Sequence, residues 1–180
     1  AVTLVMGGPP VQGLVQPGRR RLPLPAVKAG AAGVSALEDE EGRPVDAAFK
    51  KRRTAMLLDA FRSCQADVLL IEAFPFGRRA MRFELLPLLE RANALPRRPL
   101  IATSVRDILQ ETTKPGRAEE TLETIERYFD LVLVHGDPGF AQLDETFPLA
   151  AAITKEVLYT GLVAGPLPVP VPLTFDILIS

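Results

Sequence analysis

The stretch Asp67–Arg79, which reads DVLLIEAFPFGRR, decides the fold prediction. Its first part, Val68–Ile71, has a large apolar side chain at every position, and a strand without a polar side is typical of the centre of a parallel sheet. The strand ends at a single acid, Glu72, before a turn rich in aromatic residues and two arginines. In open α/β sheets the ligand binds outside the carboxyl ends of the strands. We therefore expect a ligand site at Glu72.

Similar apolar segments recur along the chain at regular spacing. Leu100–Val105 and Leu131–Val134 read as further strands, Val157–Thr160 as a short last one, and Arg117–Phe129 as an amphipathic helix between two of them. A spacing of about thirty residues matches βαβ units. Because such crossovers are right-handed, the pattern predicts an α/β fold with a Rossmann-like, doubly wound parallel sheet.

The region before this sheet is less regular. Val2–Met6 reads as a strand ended by Gly7 and Gly8, and glycines after a strand let a ligand such as a phosphate approach the backbone. A simple Gly-Pro turn is the alternative. Arg21–Val27 reads as an edge strand because its prolines restrict pairing, and residues 28–43 read as a long loop with a solvated acidic turn.

Asp46–Gln65 reads as a helix whose apolar face contains Phe49, Met56, Leu57, Ala60, Phe61 and Cys64. We expect its basic run, Lys50–Arg53, to lie mostly on the opposite, solvated side. A basic run on an amphipathic helix can also contact anionic lipid, so peripheral membrane contact stays open. The next helical segment, around Phe83–Ala92, contains Pro87, which either starts or kinks a helix.

Length and composition narrow the class of protein. The 180 residues suit one domain, or one domain and a piece of another. The near balance of 21 basic and 22 acidic residues argues against a nucleic-acid binder. A single cysteine, Cys64, excludes a disulfide within the chain and favours a cytoplasmic protein. No apolar run reaches the length of a membrane span, and no signal-peptide pattern opens the sequence.

The two ends suggest a slice of a longer protein. The sequence opens directly on a strand-like segment, and prolines alternate with leucine and valine after residue 164. Such a segment is a semi-rigid linker. We expect a first domain, incomplete at its N-terminus, over residues 1–164, a linker over residues 165–174, and the first strand of a truncated second domain over residues 175–180.

Charged or titratable groups follow each of the central strands. Glu72 follows the first, Arg106 and Asp107 the second, and His135 and Asp137 the third. Convergence of this kind is expected at a ligand site, although Arg106 and Asp107 could instead cap the following turn. His135 could act as a base or a ligand contact.

Two further arginines, Arg78 and Arg79, could bind phosphate or carboxylate groups, or form the exposed first turn of a helix. The sequence has no P-loop, no GxGxxG, no GxSxG and no Cys/His set with metal-ligand spacing. These absences argue against a P-loop ATPase, a Rossmann-type dehydrogenase, an α/β-hydrolase and a zinc enzyme.

The succession VTLVMGGPP, GRPVDAAFKKRR, DVLLIEAFPFGRR, RFELLPLLE, SVRDIL, DLVLVHGDP and LYTG resembles a bacterial group of predicted glycosyltransferases. These are relatives of the enzyme that adds N-acetylglucosamine to the peptidoglycan lipid precursor, and the resemblance runs from Val2 to Gly161. It implies the GT-B fold, in which two Rossmann-like domains face each other across a cleft. The N-terminal domain binds the acceptor, and the C-terminal domain binds the nucleotide-sugar donor.

The resemblance implies that this chain is the acceptor-side half without its first strand, and that it is inactive alone. Glu72 takes the place of an acid that supports the catalytic histidine, although the best-known relatives have Asp there. That histidine is not His135, because family members carry it in an earlier Gly-His loop. The residues implied to bind the acceptor are Gly7, Gly8, Phe74, Arg78, Arg106, Asp107, His135 and Asp137.

The implied reaction is transfer of a hexosyl group to a hydroxyl by direct displacement, without an obligatory metal or bound cofactor. The donor would be a nucleotide sugar, with UDP-sugar as the expected form, and the acceptor a sugar, a lipid-linked compound or another small molecule. Two alternatives stay open. One is a non-catalytic α/β binding or scaffold module, and the other is a nucleotide-sugar epimerase of the same fold.

Overall fold

The computed structural model describes residues 1–8, 19–30, 33–106, 108–109 and 114–163, with the backbone alone for residues 33–35. In chain order the elements are β1 (Thr3–Met6), β2 (Arg20–Pro23), β3 (Lys28–Gly30), β4 (Gly33–Glu38), α1 (Ala47–Cys64), β5 (Val68–Glu72), α2 (Arg82–Asn93), β6 (Leu100–Arg106), α3 (Arg117–Tyr128), β7 (Leu131–His135) and β8 (Glu156–Tyr159). Short 3₁₀ helices cover Arg79–Met81, Leu143–Glu145 and Ala150–Ala152. The α/β prediction is confirmed.

The main body is a four-stranded parallel sheet in the order β5-β6-β7-β8. Its strands follow one another in sequence order, and right-handed crossovers then place α2 and α3 on one face. The sheet is compatible with a Rossmann-like fold. The reversal of strand order that defines a doubly wound sheet does not occur among the described strands.

The hydrophobic core lies between this face of the sheet and the helices. Alternate strand residues point into it, and the fully buried ones meet α2 and α3 there. The core residues of the sheet are Ile71, Ile101, Val105, Val132 and Val134, and those of the three helices are Leu57, Phe61, Leu88, Leu89, Ala92, Ile125 and Tyr128. The helices thus pack against one face of the sheet.

The opposite face is exposed over β5, although Ala102 and Ser104 of β6 are buried on that face, and this corrects the prediction for β5. Val68 and Leu70 are 54% and 55% exposed, and Leu100 and Leu158 on the same face are also exposed. In the described sheet β5 is an edge strand rather than a central one. A run of four large apolar residues cannot reveal which of its two faces a helix will cover, so the sequence pattern alone was misleading.

The helix α1 forms where the sequence predicted it, but two of its side chains are placed differently. The side chain of Asp46 accepts a hydrogen bond from the backbone N–H of Phe49 at 2.7 Å and so caps the helix N-terminus. Met56, expected inside, is exposed, whereas Arg53, expected in solvent, is buried. The other members of the basic run stay at or near the surface.

The helix α2 continues through Pro87. Proline has no N–H to donate to the carbonyl four residues earlier, which belongs to Phe83. The hydroxyl of Thr54, on α1, donates to that carbonyl at 3.3 Å. A contact between the two helices therefore supplies the hydrogen bond that the proline removes.

The N-terminal residues form two small sheets. β1 and β2 pair in parallel, and β2 ends at Pro23. The predicted long loop instead contains an antiparallel hairpin of β3 and β4. The acidic turn after it is not fully solvated, because Asp39 is buried and accepts hydrogen bonds from the backbone N–H and the Nε of Arg43. The side-chain hydrogen bond from Arg43 lowers the pKa of Asp39.

The predicted linker over residues 165–174 and the predicted strand over residues 175–180 lie outside the described residues. Among the helices of the described part, none is long and apolar enough to cross a membrane.

Candidate functional site

The carboxyl ends of β5, β6 and β7 present their titratable side chains on one face. Glu72 is in register with Ser104, and Arg106 with His135. Residues two apart on a strand point to the same side, so Glu72, Arg106 and His135 all project from the open face. With strands about 4.8 Å apart and a rise of about 3.3 Å per residue, the Cα atoms of Glu72 and His135 are roughly 12 Å apart. These residues line a surface without direct contact between Glu72 and His135.

The loop after β5 holds Glu72 and Arg78 outward. Arg78 Nη2 lies 3.3 Å from Glu72 Oε2, and both side chains are more than half exposed. Ala73 and Arg78 adopt left-handed backbone conformations, with φ of 63° and 52°. Such conformations cost a non-glycine residue about 1 kcal/mol or more. The surrounding contacts must therefore hold the loop in place.

Those contacts lie on the inner side of the loop. The N–H of Ala73 donates to the carbonyl of Ser104 at 2.8 Å, and Thr103 Oγ1 donates to the carbonyl of Phe74 at 2.7 Å. Phe74 itself is 1% exposed and packs in the core. Its side chain is thus an anchor for the loop, and no ligand can contact it in this conformation. Phe74 is therefore not part of the proposed site.

The second arginine of the loop is engaged within the protein. Arg79 and Arg82 both pair with the carboxylate of Glu120 on α3. Arg79 Nη1 also donates to Thr121 Oγ1 at 3.2 Å. Of the adjacent arginines that the sequence offered as phosphate ligands, only Arg78 faces outward.

His135 is held by a neighbouring hydroxyl. Its Nδ1 lies 2.7 Å from Thr160 Oγ1, which also lies 3.2 Å from the carbonyl oxygen of Gly161 and 3.4 Å from that of Val134. A threonine hydroxyl has one proton. When that proton is donated to a carbonyl, Nδ1 must donate to Oγ1, and in the neutral tautomer with the proton on Nδ1 the lone pair of Nε2 can accept a hydrogen bond.

The remaining predicted residues of this edge have different environments. Asp137 Oδ1 accepts a hydrogen bond from the N–H of Gly139 at 2.8 Å. This carboxylate therefore stabilises the turn after β7, and its second oxygen can accept a hydrogen bond from a ligand. Arg106 is exposed at the end of β6. Asp107 lies outside the described residues.

Gly7 and Gly8 lie in the β1–β2 layer and not at the edge of the main sheet. The carbonyl of Gly7 accepts hydrogen bonds from the N–H of Val27 at 3.1 Å and from Arg53 Nη1 at 3.3 Å. Arg53 also forms a buried ion pair with Glu84, with Nε 2.6 Å from Oε2 and Nη2 3.1 Å from Oε1. Neither Arg53 nor Glu84 was recognised as important from the sequence.

A signal for this pair was nevertheless present. Arg53 comes four residues after Phe49 and four before Leu57, which places it on the apolar face of α1. Glu84 likewise comes four residues before the buried Leu88 on α2. A basic and an acidic residue on two inward faces indicate a buried pair.

Two grooves in the described part of the surface lie away from the predicted site. One, of about 280 Å³, lies on α1 and is lined by Ala55, Leu58, Asp59, Arg62 and Arg91. Another lies between β2 and α1. In the described part of the chain no group of three His, Cys, Asp or Glu side chains could hold a metal ion. Because Glu72, Arg78 and Arg106 are all exposed, the candidate site is a charged surface.

Comparisons of the chain with protein-family models, with curated proteins and with solved structures found no match.

Proposed function

We propose that this chain is the acceptor-binding part of a nucleotide-sugar-dependent glycosyltransferase that transfers a hexosyl group to a hydroxyl. The observation that carries the proposal is the common face of Glu72, Arg106 and His135 at the carboxyl edge of a parallel sheet, where α/β proteins bind ligands. The sequence resemblance supports the same reading, because its most specific motif, DVLLIEAFPFGRR, forms β5 and the loop that holds Glu72 and Arg78.

The exposed side chains suit a polar acceptor. Arg78 and Arg106 offer charge-assisted hydrogen bonds to hydroxyl, carboxylate or phosphate groups, and Nε2 of His135 can accept from a hydroxyl. In the proposed enzyme Glu72 orients a catalytic histidine and stabilises its charged form while that histidine takes the acceptor proton. A doubly wound GT-B domain and a donor site for a UDP-sugar in a second domain belong to the same proposal.

Acceptor binding is the activity to test first, because the proposal assigns the donor to another domain. The full chain is titrated calorimetrically with octyl β-glucoside below its micelle concentration and with methyl β-glucoside. The Arg106→Gln variant is expected to bind about tenfold more weakly, since one charge-assisted hydrogen bond is lost. The matched control is Arg97→Gln, because Arg97 pairs with Asp67 at the opposite end of the strands.

Equal affinities for the Arg106→Gln and Arg97→Gln variants would contradict the proposed site. A titration with UDP provides a second check on the domain assignment. We expect UDP not to compete with the glucosides. Competition would place the nucleotide at this edge of the sheet and overturn the acceptor-side assignment.

A non-catalytic binding module is the second candidate, and the open face favours it. Val68, Leu70, Leu100 and Leu158 form an exposed apolar surface beside the charged edge, and apolar surface of this kind often marks an interaction site. A module that binds through this surface would lose affinity for octyl β-glucoside in the Leu70→Lys variant but keep it in the Arg106→Gln variant. The glycosyltransferase proposal predicts a loss in Arg106→Gln.

A further inference from the structure

We infer that the buried Arg53–Glu84 pair is a positioning device that fixes the Gly7–Gly8 turn relative to the loop after β5. The inference rests on the proposed function, because the sequence resemblance that supports that function implies that Gly7 and Gly8 bind the acceptor. Arg53 would then act on the site through the backbone of Gly7, and so it is a positioning residue and not a catalytic one.

The guanidinium of Arg53 uses all of its nitrogens. Nε and Nη2 bind the two carboxylate oxygens of Glu84, and Nη1 donates to the carbonyls of Gly7 and Pro25. The side chains of Arg53 and Glu84 are only 2% and 4% exposed. The pair therefore joins α1, α2, the end of β1 and the segment after β2 at one point.

This connection leads directly to the candidate site. Glu84 lies in the first turn of α2, which begins at Arg82 directly after the 3₁₀ helix that follows Arg78. Gly7 is bound to the same guanidinium. A shift of the Gly7–Gly8 turn against the β5 loop would therefore break hydrogen bonds of a buried charge, which is costly.

Stability alone does not explain a pair of this kind. Replacing a buried ion pair with apolar residues of similar volume is often neutral or stabilising, because desolvation of the two charges offsets their attraction. An apolar pair would fill the space between α1 and α2, but it could not donate to the carbonyl of Gly7. The feature lost in such a replacement is the fixed position of the turn.

The contact between Gly7 and the guanidinium of Arg53 requires that residue 7 has no side chain. A Cβ atom at Gly7 would lie 2.3 Å from Arg53 Nη2, whereas a Cβ at Gly8 would meet nothing within 4 Å. The guanidinium can approach the backbone only because residue 7 is glycine. Gly7 and Gly8 are thus distinguishable by experiment although they are adjacent and identical.

The test is amide hydrogen exchange of the full chain, followed by NMR. The Arg53→Met/Glu84→Met double variant keeps apolar packing between the helices and removes the donor to Gly7. We expect exchange at Val27 and Leu24, whose N–H groups bind the carbonyls of Gly7 and Met6, to accelerate about tenfold or more. Exchange at Asp130, which bonds the main sheet at Ile101, should stay within about twofold of the wild-type rate, because the helices remain packed.

Unchanged exchange at Val27 and Leu24 in the double variant would overturn the inference, and so would equal acceleration at Asp130, which would show a general loss of stability. If the double variant does not fold, a comparison of the Gly7→Ala and Gly8→Ala variants tests the inference instead. Gly7→Ala is expected to accelerate exchange at Val27 and Gly8→Ala is not, and equal effects would refute the inference. Exchange is measured without any glycoside, so the result stands even if the proposed acceptor binding fails.

Discussion

At the scale of single residues, the contact with the largest consequences is the buried ion pair between α1 and α2. Arg53 and Glu84 are charged residues on the inward faces of two helices. Each satisfies the other, and the remaining donors of Arg53 meet backbone carbonyls. Since burial of a charge is tolerated only with such partners, removal of either member should be costly.

We predict that Glu84→Gln lowers the free energy of unfolding by roughly 3 kcal/mol, because the charge of Arg53 stays buried without its counter-ion. Urea denaturation measures this change. The control is Glu90→Gln, an exposed acid on the same helix, which should change stability by less than about 0.5 kcal/mol. Similar losses for the two variants would mean that the pair is not buried as described.

Asp130 gives a pH prediction. Burial alone would raise its pKa, but hydrogen bonds from Arg98 and from the N–H of Ile101 outweigh burial and lower the pKa. A carboxyl whose pKa is lower in the folded state stabilises the fold above its unfolded pKa of about 3.9, and this stabilisation is lost as the pH falls through the folded-state pKa. The free energy of unfolding should therefore fall less steeply in acid for Asp130→Asn than for the wild type.

The control for this measurement is Asp144→Asn, which removes an exposed acid of a 3₁₀ helix and so separates the loss of one carboxylate from the loss of the hydrogen bonds of Asp130. Parallel acid profiles for the Asp130→Asn variant and the wild type would show that the hydrogen bonds of Asp130 do not contribute to stability.

At the scale of elements, the strand β5 shows how the covered and open faces of the sheet differ. Leu70 and Ile71 are consecutive and similar in size, yet one is exposed and the other packs in the core. The central-strand interpretation of the sequence would bury both. Threonine is well tolerated in strands, so a Thr substitution at either position tests side-chain burial rather than strand formation. The same substitution at both positions therefore distinguishes an exposed Leu70 from a buried one.

We predict that Leu70→Thr changes the free energy of unfolding by less than about 0.5 kcal/mol, whereas Ile71→Thr lowers it by about 2–4 kcal/mol, because a cavity and a buried hydroxyl result. Thermal or urea denaturation of both variants makes the comparison. A loss at Leu70 as large as that at Ile71 would contradict the open face and restore the central-strand interpretation.

The elements themselves were largely predictable from the sequence. The four strands of the sheet and the helices α1 and α3 were found because their apolar residues recur with the periods of a strand or an amphipathic helix. The hairpin of β3 and β4 was missed because it contains small residues such as Ala29, Gly30 and Gly33, which give little periodic signal. Its pairing is set by backbone hydrogen bonds, which leave no trace in side-chain pattern.

The candidate site was predictable only in part. The residues at strand ends could be identified, because parallel strands bring their carboxyl ends to one edge. Their partners could not, since Thr160 is 25 residues from His135 and Glu120 lies on a different helix from Arg79. The sequence likewise could not show that Phe74 turns inward while Arg78 turns outward, because that depends on the left-handed backbone at Ala73 and Arg78.

At the scale of the whole molecule, the described residues combine a parallel sheet, whose helices pack on one face, with a smaller N-terminal layer that contacts α1 and α2. The charged edge and the exposed apolar face are adjacent on the same side of the sheet. We therefore expect a polar acceptor to contact the edge, and an attached alkyl chain to extend over the apolar face. Octyl β-glucoside should accordingly bind more tightly than methyl β-glucoside, and calorimetry of the two compounds measures the difference.

The most direct test of the central claim is an NMR titration of the full chain with methyl β-glucoside, which follows the amide signals. The account predicts concentration-dependent shifts at Glu72, Arg78, Arg106 and His135, with little change at Asp67 and Arg97 at the opposite end of the strands. Shifts confined to the groove on α1, or to the amino ends of the strands, would contradict the account and move the binding surface elsewhere.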